Sequence, residues 1–359
     1  MVAPPDPPWP FPVFWSPELR DFMPSASLPV SSNETRPPLV NARLLADVGG
    51  TNARFAWQAG PGEPITDVLV IPAAEHHRLQ DAMHTYLQGL GRGTPQAVAI
   101  AIANPITGDQ IRMTNHHWSF SQSEVKAEFG FETWRLLNDF TALALALPDL
   151  PAEELVQVGG GSPQANMAIG LVGAGTGLGV SGLLPDGRGG WVPLEGEGGH
   201  VTLPASAPRE RVVMDGLVRR YGHASAERVT SGQGLLDTFG LLCEADGVTM
   251  GSVVDAADVT EAALEAGQPQ ALEALNIFCA LLGSVAGNLA LTLGARGGVY
   301  IGGGIVPRLG EWFHTSPFRD RFETKGRFRG YLQAIPVWVI TSRQSPALMG
   351  AARALDERR

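Results

Sequence analysis

Apolar and polar residues form two kinds of run from residue 39 onward. Short apolar runs predict strands, with the sequences RLLADV, ARFAW, DVLVIP, AVAIAIAN, WRLLNDF, MAIGLVG, GVSGLL, GGVYIGG and IPVWVIT. Apolar residues at helical spacing predict helices near residues 75–90, 121–129, 140–147, 207–221, 234–245, 255–265, 270–294, 305–315 and 345–356. The run AVAIAIAN does not alternate, as expected for a strand that is buried on both faces. The pattern predicts an α/β protein with a helix-covered mixed sheet in each of two domains.

One element occurs twice. LLADVGGTNARFAW and AIGLVGAGTGLGVSGLL each read as an apolar strand, a tip of glycine and threonine, and a second apolar strand, with Gly173 lying 126 residues after Asp47. Glycines tolerate positive φ in tight turns, and their N–H groups can approach an anion closely. The two hairpins therefore predict two similar halves that hold one polyphosphate between them. Two ordinary hairpins, whose glycines serve only the turn, are the alternative.

The first 38 residues differ in kind, because eleven of the 28 prolines lie there. Such a segment propagates neither a helix nor a sheet, so we predict a disordered tail over residues 1–38 or a translation start downstream, near Met23. It lacks a basic start followed by an apolar region, so we do not expect a signal peptide.

Charge, cysteine content and the longest apolar segment exclude several classes of protein. The formal charge of −10 argues against a nucleic-acid or anionic-membrane partner. Cys243 and Cys279 are too few for a zinc cluster or a disulfide framework and fit a reducing cytosol. The longest apolar segment, residues 277–295, is interrupted by glycine, serine and asparagine, so we expect a core helix there and not a membrane span.

Two common phosphate-binding motifs are absent. A P-loop requires Gly-Lys-Ser/Thr, and neither Lys126 nor Lys325 follows a glycine. The run from Gly173 to Gly179 has glycine at every second position, which does not match the dinucleotide spacing G-x-G-x-x-G. If a nucleotide binds, the hairpin tips must hold it.

Eight motifs follow one another along the chain: DVGGTNAR, NPITGD, MTNHHWSFS, LLNDFTALA, GAGTGLGV, GEGGHV, GHASAERVTSG and GGVYIGGGIVPR. Together they resemble the bacterial ATP-dependent glucokinase family, in the superfamily of sugar kinases, actin and heat-shock ATPases. The resemblance extends from about Leu39 to the C-terminus, and the proline-rich tail has no counterpart in it.

The resemblance implies two ribonuclease H-like, actin-like ATPase domains with the active site in the cleft between them. We expect a small domain at residues 39–149, with the C-terminal helix 343–359 packing back on it, and a large domain at residues 150–342. The implied reaction transfers the γ-phosphoryl group of ATP to the 6-hydroxyl of D-glucose with Mg²⁺, in the cytoplasm. A homodimer is implied, and a nucleic-acid or membrane partner is not.

The resemblance also assigns the nucleotide-binding residues. In the first phosphate loop, backbone amides and the Thr51 hydroxyl face the β- and γ-phosphates, and Asp47 orients Mg²⁺ through water. The Gly173–Gly179 tip is the second phosphate loop, and Gly302–Arg308 lies on the adenosine side. The residues expected to bind the nucleotide are Ala46, Asp47, Val48, Gly49, Gly50, Thr51, Gly175, Thr176, Gly177, Gly303 and Gly304.

Asn138 and Asp139 lie between a predicted strand and a predicted helix, where short polar residues usually act as N-caps. By resemblance, Asp139 is the catalytic base and Asn138 binds a sugar hydroxyl. Glu197 and His200 lie among clustered glycines and are assigned to the sugar. A surface loop or an incidental metal site is their alternative.

Glu227, after a predicted N-cap at Ser225, is assigned to the anomeric end of the sugar, with a helix-dipole interaction as its alternative. Asn115 is a further expected sugar contact, and His116 and His117 beside it could line the pocket. Glu195 is treated as a bystander.

Three other functions compete. The enzyme could phosphorylate another hexose. A sugar-responsive regulator on the same scaffold would need a DNA-binding segment before the first hairpin, where the chain is rich in proline and the overall charge is acidic. An ATPase of the actin or heat-shock kind would have no use for Asn138 and Asp139 together with GEGGH and SAERV.

Overall fold

The computed structural model describes residues 41–114, 116–342 and 345–356, so the predicted tail at residues 1–38 lies outside the described residues. The strands are β1 (Arg43–Val48), β2 (Asn52–Gln58), β3 (Ile65–Pro72), β4 (Ala97–Ile102), β5 (Gln110–Arg112), β6 (Ser119–Ser121), β7 (Thr133–Asn138), β8 (Leu155–Gln157), β9 (Ile169–Ala174), β10 (Leu178–Pro185), β11 (Trp191–Pro193), β12 (Gly298–Gly302) and β13 (Val337–Ile340). The α-helices are α1 (Leu79–Leu90), α2 (Gln122–Phe129), α3 (Asp139–Ala146), α4 (Pro208–Tyr221), α5 (Gly232–Asp246), α6 (Ala256–Leu264), α7 (Pro269–Leu293), α8 (Ile305–Leu309), α9 (Trp312–Thr315), α10 (Phe318–Glu323), α11 (Arg329–Gln333) and α12 (Ala347–Asp356).

The first sheet has the strand order β3-β2-β1-β4-β7. β1 and β2 form an antiparallel hairpin, whereas β4 runs parallel to both β1 and β7. The carboxyl ends of β1, β4 and β7 therefore lie at one edge of the sheet. In open α/β sheets this edge is where ligands bind.

The second sheet has the order β11-β10-β9-β12-β13-β8 and repeats this plan. Its hairpin is β9–β10, and β12 runs parallel to β9 and β13. The strand β9 (Ile169–Ala174) begins and ends 126 residues after β1 (Arg43–Val48). This is the same spacing that separates the two glycine tips in the sequence. The internal repeat is thus a repeat of topology.

The helix α12 packs against α3, β1 and β4, so the chain returns to the first sheet near its end. Buried Arg43 fixes this return by donating to Asp356 (2.5 Å) and to the carbonyl of Ala352 (3.4 Å). The domain boundary between residues 149 and 150 stays our proposal.

The helix α7 is the core of the second half. Among the described residues it is the one helix long and apolar enough to cross a membrane, but 78% of its most apolar stretch is buried inside the fold. A Cβ at Gly283 or Gly287 would lie 2.3 Å or 2.6 Å from a carbonyl oxygen of α10, so these glycines allow the two helices to approach closely. The prediction of a core helix is confirmed.

Each predicted strand is present in the structure, and eight of the nine predicted helices each correspond to one α-helix. The helix predicted at 305–315 is divided into α8 and α9, because Gly310 adopts φ 53° and ψ −138°, which only glycine tolerates. The short strands β5, β6, β8 and β11 and the charged helices α10 and α11 were not predicted.

Candidate active site

A cleft of about 480 Å³ lies where the carboxyl ends of both sets of parallel strands meet. Segments that follow β1, β4 and β7 line one side, and the tip of β9–β10 with the loop after β11 lines the other. The expected site residues among its lining are Gly49, Gly50, Thr51, Asn138, Asp139, Gly175, Thr176, Gly177, Glu197, His200, Glu227 and Gly303. The fold thus brings most of the predicted residues to one cleft.

Asn138 and Asp139 have different roles at the start of α3. Asn138 is the N-cap, and its Oδ1 accepts hydrogen bonds from the backbone N–H groups of Phe140 (2.9 Å) and Thr141 (3.3 Å). Asp139 Oδ1 accepts from Phe140 N (3.0 Å), and the carboxylate lines the cleft. Burial raises the pKa of Asp139 to about 6, and the nearby Asp47 carboxylate adds to the rise. Such a carboxylate is suited to accept a proton near neutral pH.

Asp47 lies on β1 beneath the first glycine tip. Its Oδ2 accepts from Arg54 (3.2 Å) and Ser345 (2.7 Å). The described residues contain no group of three or more His, Cys, Asp or Glu that could hold a metal ion. Magnesium is usually held by one or two carboxylates together with phosphate oxygens and water, so a single carboxylate such as Asp47 fits it.

The tip after β1 presents Gly49, Gly50 and Thr51 to the cleft. Gly49 N donates to Asn52 O (2.9 Å), which closes the turn without positive φ at either glycine, contrary to the expected use of their conformational freedom. Ala46 and Val48 lie inside the strand, with buried side chains and partners in the sheet on both sides. Their backbone groups serve the sheet, so the structure does not bring them to the cleft.

Alternate glycines of the second tip have different neighbours. Ideal Cβ atoms at Gly173 and Gly179 would lie 2.4 Å and 2.2 Å from the ring of Phe140, and one at Gly177 would lie 2.6 Å from Glu227 Oε2. An ideal Cβ on Gly175 would meet no neighbour, but its N–H donates to Gly177 O (2.9 Å) and its carbonyl accepts from Gly232 N (2.9 Å). Within this tip Thr176 is the exposed residue, so it is the part most accessible to a ligand.

Glu227 lies in a turn, and the predicted N-cap at Ser225 is wrong. The following helix, α5, begins at Gly232, and Ser231 caps it by accepting from Gly234 N (3.1 Å). The Glu227 carboxylate accepts from Leu178 N (2.9 Å), next to the second glycine tip. A helix-dipole interaction therefore does not explain this residue.

Glu197 and His200 lie on one short 3-10 turn and are both exposed at the mouth of the cleft. Glu195 lines a different cavity, together with Arg135 and Trp191, as its description as a bystander anticipated. Asn115 lies outside the described residues, so its expected sugar contact stays a prediction. The rings of His116 and His117 contact each other in a tilted arrangement (centroids 4.1 Å apart), outside the lining of the cleft.

On the adenosine side, only glycine fits at position 303. Gly303 adopts φ +82°, and a Cβ there would lie 2.2 Å from Ala174 O. Gly304 is the N-cap of α8 and is not part of the cleft lining. A neighbouring groove of about 290 Å³ runs between α6 and α8, lined by Ala256, Thr260, Leu264, Ile305 and Arg308 among others. An ideal Cβ on Gly232 would contact both Gly175 O (3.6 Å) and Ala256 Cβ (3.7 Å), so the groove adjoins the second tip.

The sequence analysis gave no role to Ala103, Asn104 and Pro105, which line the cleft, although Asn104 and Pro105 begin the motif NPITGD. They follow β4, and Asn104 is buried, with its Oδ1 accepting from Thr114 N (3.0 Å) and Thr114 Oγ1 (2.9 Å). Their position directly after an apolar parallel strand was the available signal.

Comparison with known proteins agrees with this geometry. The family model described as Glucokinase matches residues 44–358. A glucokinase of Chromobacterium violaceum is 52% identical over 315 residues, which cover 88% of this chain and 89% of that protein. The bifunctional protein glk of Burkholderia pseudomallei is 53% identical over 316 residues, which cover 88% of this chain and 48% of that protein. The chain thus spans about half the length of the bifunctional relatives that it matches.

A crystal structure of a glucokinase from an Antarctic psychrotroph superposes with a TM-score of 0.80 at 34% identity, covering 88% of this chain and 99% of that one. The actin-like ATPase fold that the resemblance implied is confirmed.

Proposed function

The chain belongs to the glucokinase family, and we propose that it transfers the γ-phosphoryl group of ATP to the 6-hydroxyl of D-glucose, giving glucose 6-phosphate and ADP. The observation that carries the proposal is the placement of Asp139. Its partly buried carboxylate, with a pKa of about 6, shares one cleft with two glycine tips suited to phosphate.

In this mechanism the sugar 6-hydroxyl donates a hydrogen bond to Asp139. As O6 forms its bond to the γ-phosphorus, the hydroxyl proton passes to Asp139, and the bond between the γ-phosphorus and the bridging oxygen breaks, leaving its electron pair on ADP. Phosphoryl transfer depends mainly on positioning and charge stabilisation, so one general base, Asp139 at the start of α3, is sufficient for the proton transfer.

The glycine tips hold the phosphates. The backbone at Gly50 and Thr176 and the hydroxyls of Thr51 and Thr176 line the cleft and would serve as hydrogen-bond donors. Asp47 would hold Mg²⁺ through water, and the bound ion would supply neutralisation of the phosphate charge. The groove between α6 and α8 would take the adenosine, since it adjoins Gly175 through Gly232.

Glu197, His200 and Glu227 provide carboxylate and imidazole groups on the side of the cleft opposite Asp139. Carboxylates can accept two hydroxyl hydrogen bonds each, which suits a polyol. Another hexose with the same 6-hydroxyl is the alternative substrate. We also propose a cytoplasmic location and a homodimer, the latter to be checked by light scattering.

A coupled assay for hexose 6-phosphate tests the function with purified protein, Mg²⁺, ATP, and glucose, mannose or glucosamine in parallel. Turnover with glucose as the preferred sugar is expected. Preference for another hexose would replace the substrate, and no turnover with any hexose would overturn the kinase proposal.

A further inference from the structure

Phe140 has no role in the mechanism above, yet it joins the two sides of the site. It is the second residue of α3, directly after Asp139, and its ring lines the cleft. The helix α3 follows β7 of the first sheet and packs against strands of both sheets, and the Phe140 ring rests on the β9–β10 hairpin of the second sheet.

The surface of β9 and β10 that contacts the Phe140 ring is formed by two glycines, which have no side chains. Gly173 and Gly179 are directly paired across β9 and β10. An ideal Cβ on Gly179 would lie 2.2–2.3 Å from three ring carbons of Phe140, and one on Gly173 would lie 2.4 Å from a fourth. Since carbon atoms in contact are separated by about 3.5–4.0 Å, no other residue fits at either position without displacing the ring.

The ring and the carboxylate belong to the same helix start. Phe140 N donates both to Asp139 Oδ1 (3.0 Å) and to Asn138 Oδ1 (2.9 Å), so a shift of Phe140 also moves the hydrogen-bond donor of Asp139. We infer that Phe140 is a positioning residue: its ring, seated on Gly173 and Gly179, sets the spacing between the Asp139 carboxylate and the second glycine tip. This inference rests on the proposed kinase function.

Two substitutions test the inference, one that adds a methyl group beneath the ring and one that makes the ring position smaller. Gly179→Ala adds a methyl group that displaces the ring by more than 1 Å, and a misplacement of that size can reduce turnover about 100-fold. Phe140→Leu removes the ring and is expected to lower kcat about 10-fold, because the base loses its support. In both variants KM for glucose should change by less than about 3-fold, since Glu197, His200 and Glu227 are unaltered and only the contact of Asp139 with the sugar is disturbed.

The double variant Gly179→Ala/Phe140→Leu is decisive. If the methyl group acts through the ring, the smaller leucine accommodates it, and the double variant retains the activity of Phe140→Leu alone. If the two changes act independently, their losses multiply to about 1,000-fold, and the inference is overturned. Gly170→Ala is the matched control: it adds a methyl group on β9 against the flexible Leu289 side chain (3.1 Å), so it can lower stability but leaves kcat unchanged.

If Gly179→Ala does not fold, the pH dependence of kcat/KM in Phe140→Leu provides a second test. Phe140→Leu admits water to Asp139, whose burial raises its pKa to about 6, so the acid limb of kcat/KM moves to lower pH. An unchanged limb together with unchanged kcat would refute the positioning role. Wild-type protein that turns over no hexose would refute the proposed function instead, so the two failures are distinguishable.

Discussion

The substitution Asp139→Asn separates a catalytic base from a residue that merely begins a helix. Asparagine keeps the size of the side chain, and the N-cap of α3 is the unaltered Asn138. If Asp139 served only the helix, the variant would be an almost normal enzyme. If Asp139 accepts the proton of the sugar hydroxyl, kcat falls by about 10²–10⁴-fold, the usual contribution of a general base.

Stability should change in the opposite direction. Burial raises the pKa of Asp139 from 3.8 to about 6, so the folded protein binds this proton more tightly than the unfolded chain does. The contribution of Asp139 to the free energy of unfolding is therefore greatest below pH 3.8 and decreases as the pH rises through about 6, because the buried carboxylate becomes charged. Asparagine never acquires this charge. At about 1.4 kcal/mol per pKa unit, the variant gains at most about 3 kcal/mol at pH 8 and nothing at pH 3.

The two quantities are measured together. Steady-state kinetics give kcat and KM, and denaturant unfolding at pH 4 and pH 8 gives the free energy of unfolding. The exposed residue Asp320, which pairs with the exposed Arg329 (3.0 Å), provides the matched control, and Asp320→Asn should change neither quantity appreciably. Turnover above about a tenth of wild type in Asp139→Asn would refute the catalytic role, and a loss of stability at pH 8 would refute the electrostatic reasoning.

Four further predictions follow from the same structure. In wild-type protein, kcat/KM for glucose decreases below an apparent pKa of about 6 as Asp139 takes up its proton, and a flat profile down to pH 5 would contradict this. Gly50→Val places a branched side chain at the first tip, so calorimetry should show at least about 10-fold weaker nucleotide binding with sugar binding retained, whereas equal loss of both indicates misfolding. Arg43→Leu removes the buried guanidinium that holds Asp356, so unfolding becomes easier by about 2 kcal/mol, and an unchanged denaturation midpoint would contradict that anchoring role. Deletion of residues 1–38 should leave the melting temperature and turnover unchanged, since eleven prolines keep this segment from forming a helix or a strand, and a large loss of either would show that the tail contributes.

The sequence was sufficient for features set by local pattern. Runs such as AVAIAIAN predicted the buried parallel strand β4, and the repeated glycine tips predicted the correspondence between β1 and β9. Because parallel strands end at a common edge, the placement of Asn138 and Asp139 beside Gly50 then follows from the order of the strands.

Features that depend on distant partners were not predictable from spacing. Nothing in the run from Gly173 to Gly179 reveals that its outer glycines face Phe140 and that Gly177 faces Glu227, since those neighbours are remote in the chain. The N-cap predicted at Ser225, just before Glu227, was wrong for the same reason. The Glu227 carboxylate accepts from Leu178 N, which is remote in the chain, and the local pattern around Ser225 only suggested a helix start.

The topological repeat explains why one site needs both halves. Each half offers a hairpin tip at the carboxyl edge of its sheet, but only the first half follows its parallel strand β7 with a carboxylate inside the cleft. The base and the first phosphate tip come from segments that follow strands of the first sheet, whereas the second tip belongs to a hairpin of the second. The Glu227 carboxylate accepts from Leu178 N, beside that second tip, so a sugar hydroxyl that engages Glu227 would act on the backbone next to the proposed phosphate donors. Sugar and nucleotide should consequently bind with positive coupling, and calorimetry should show tighter nucleotide binding with glucose present than without it.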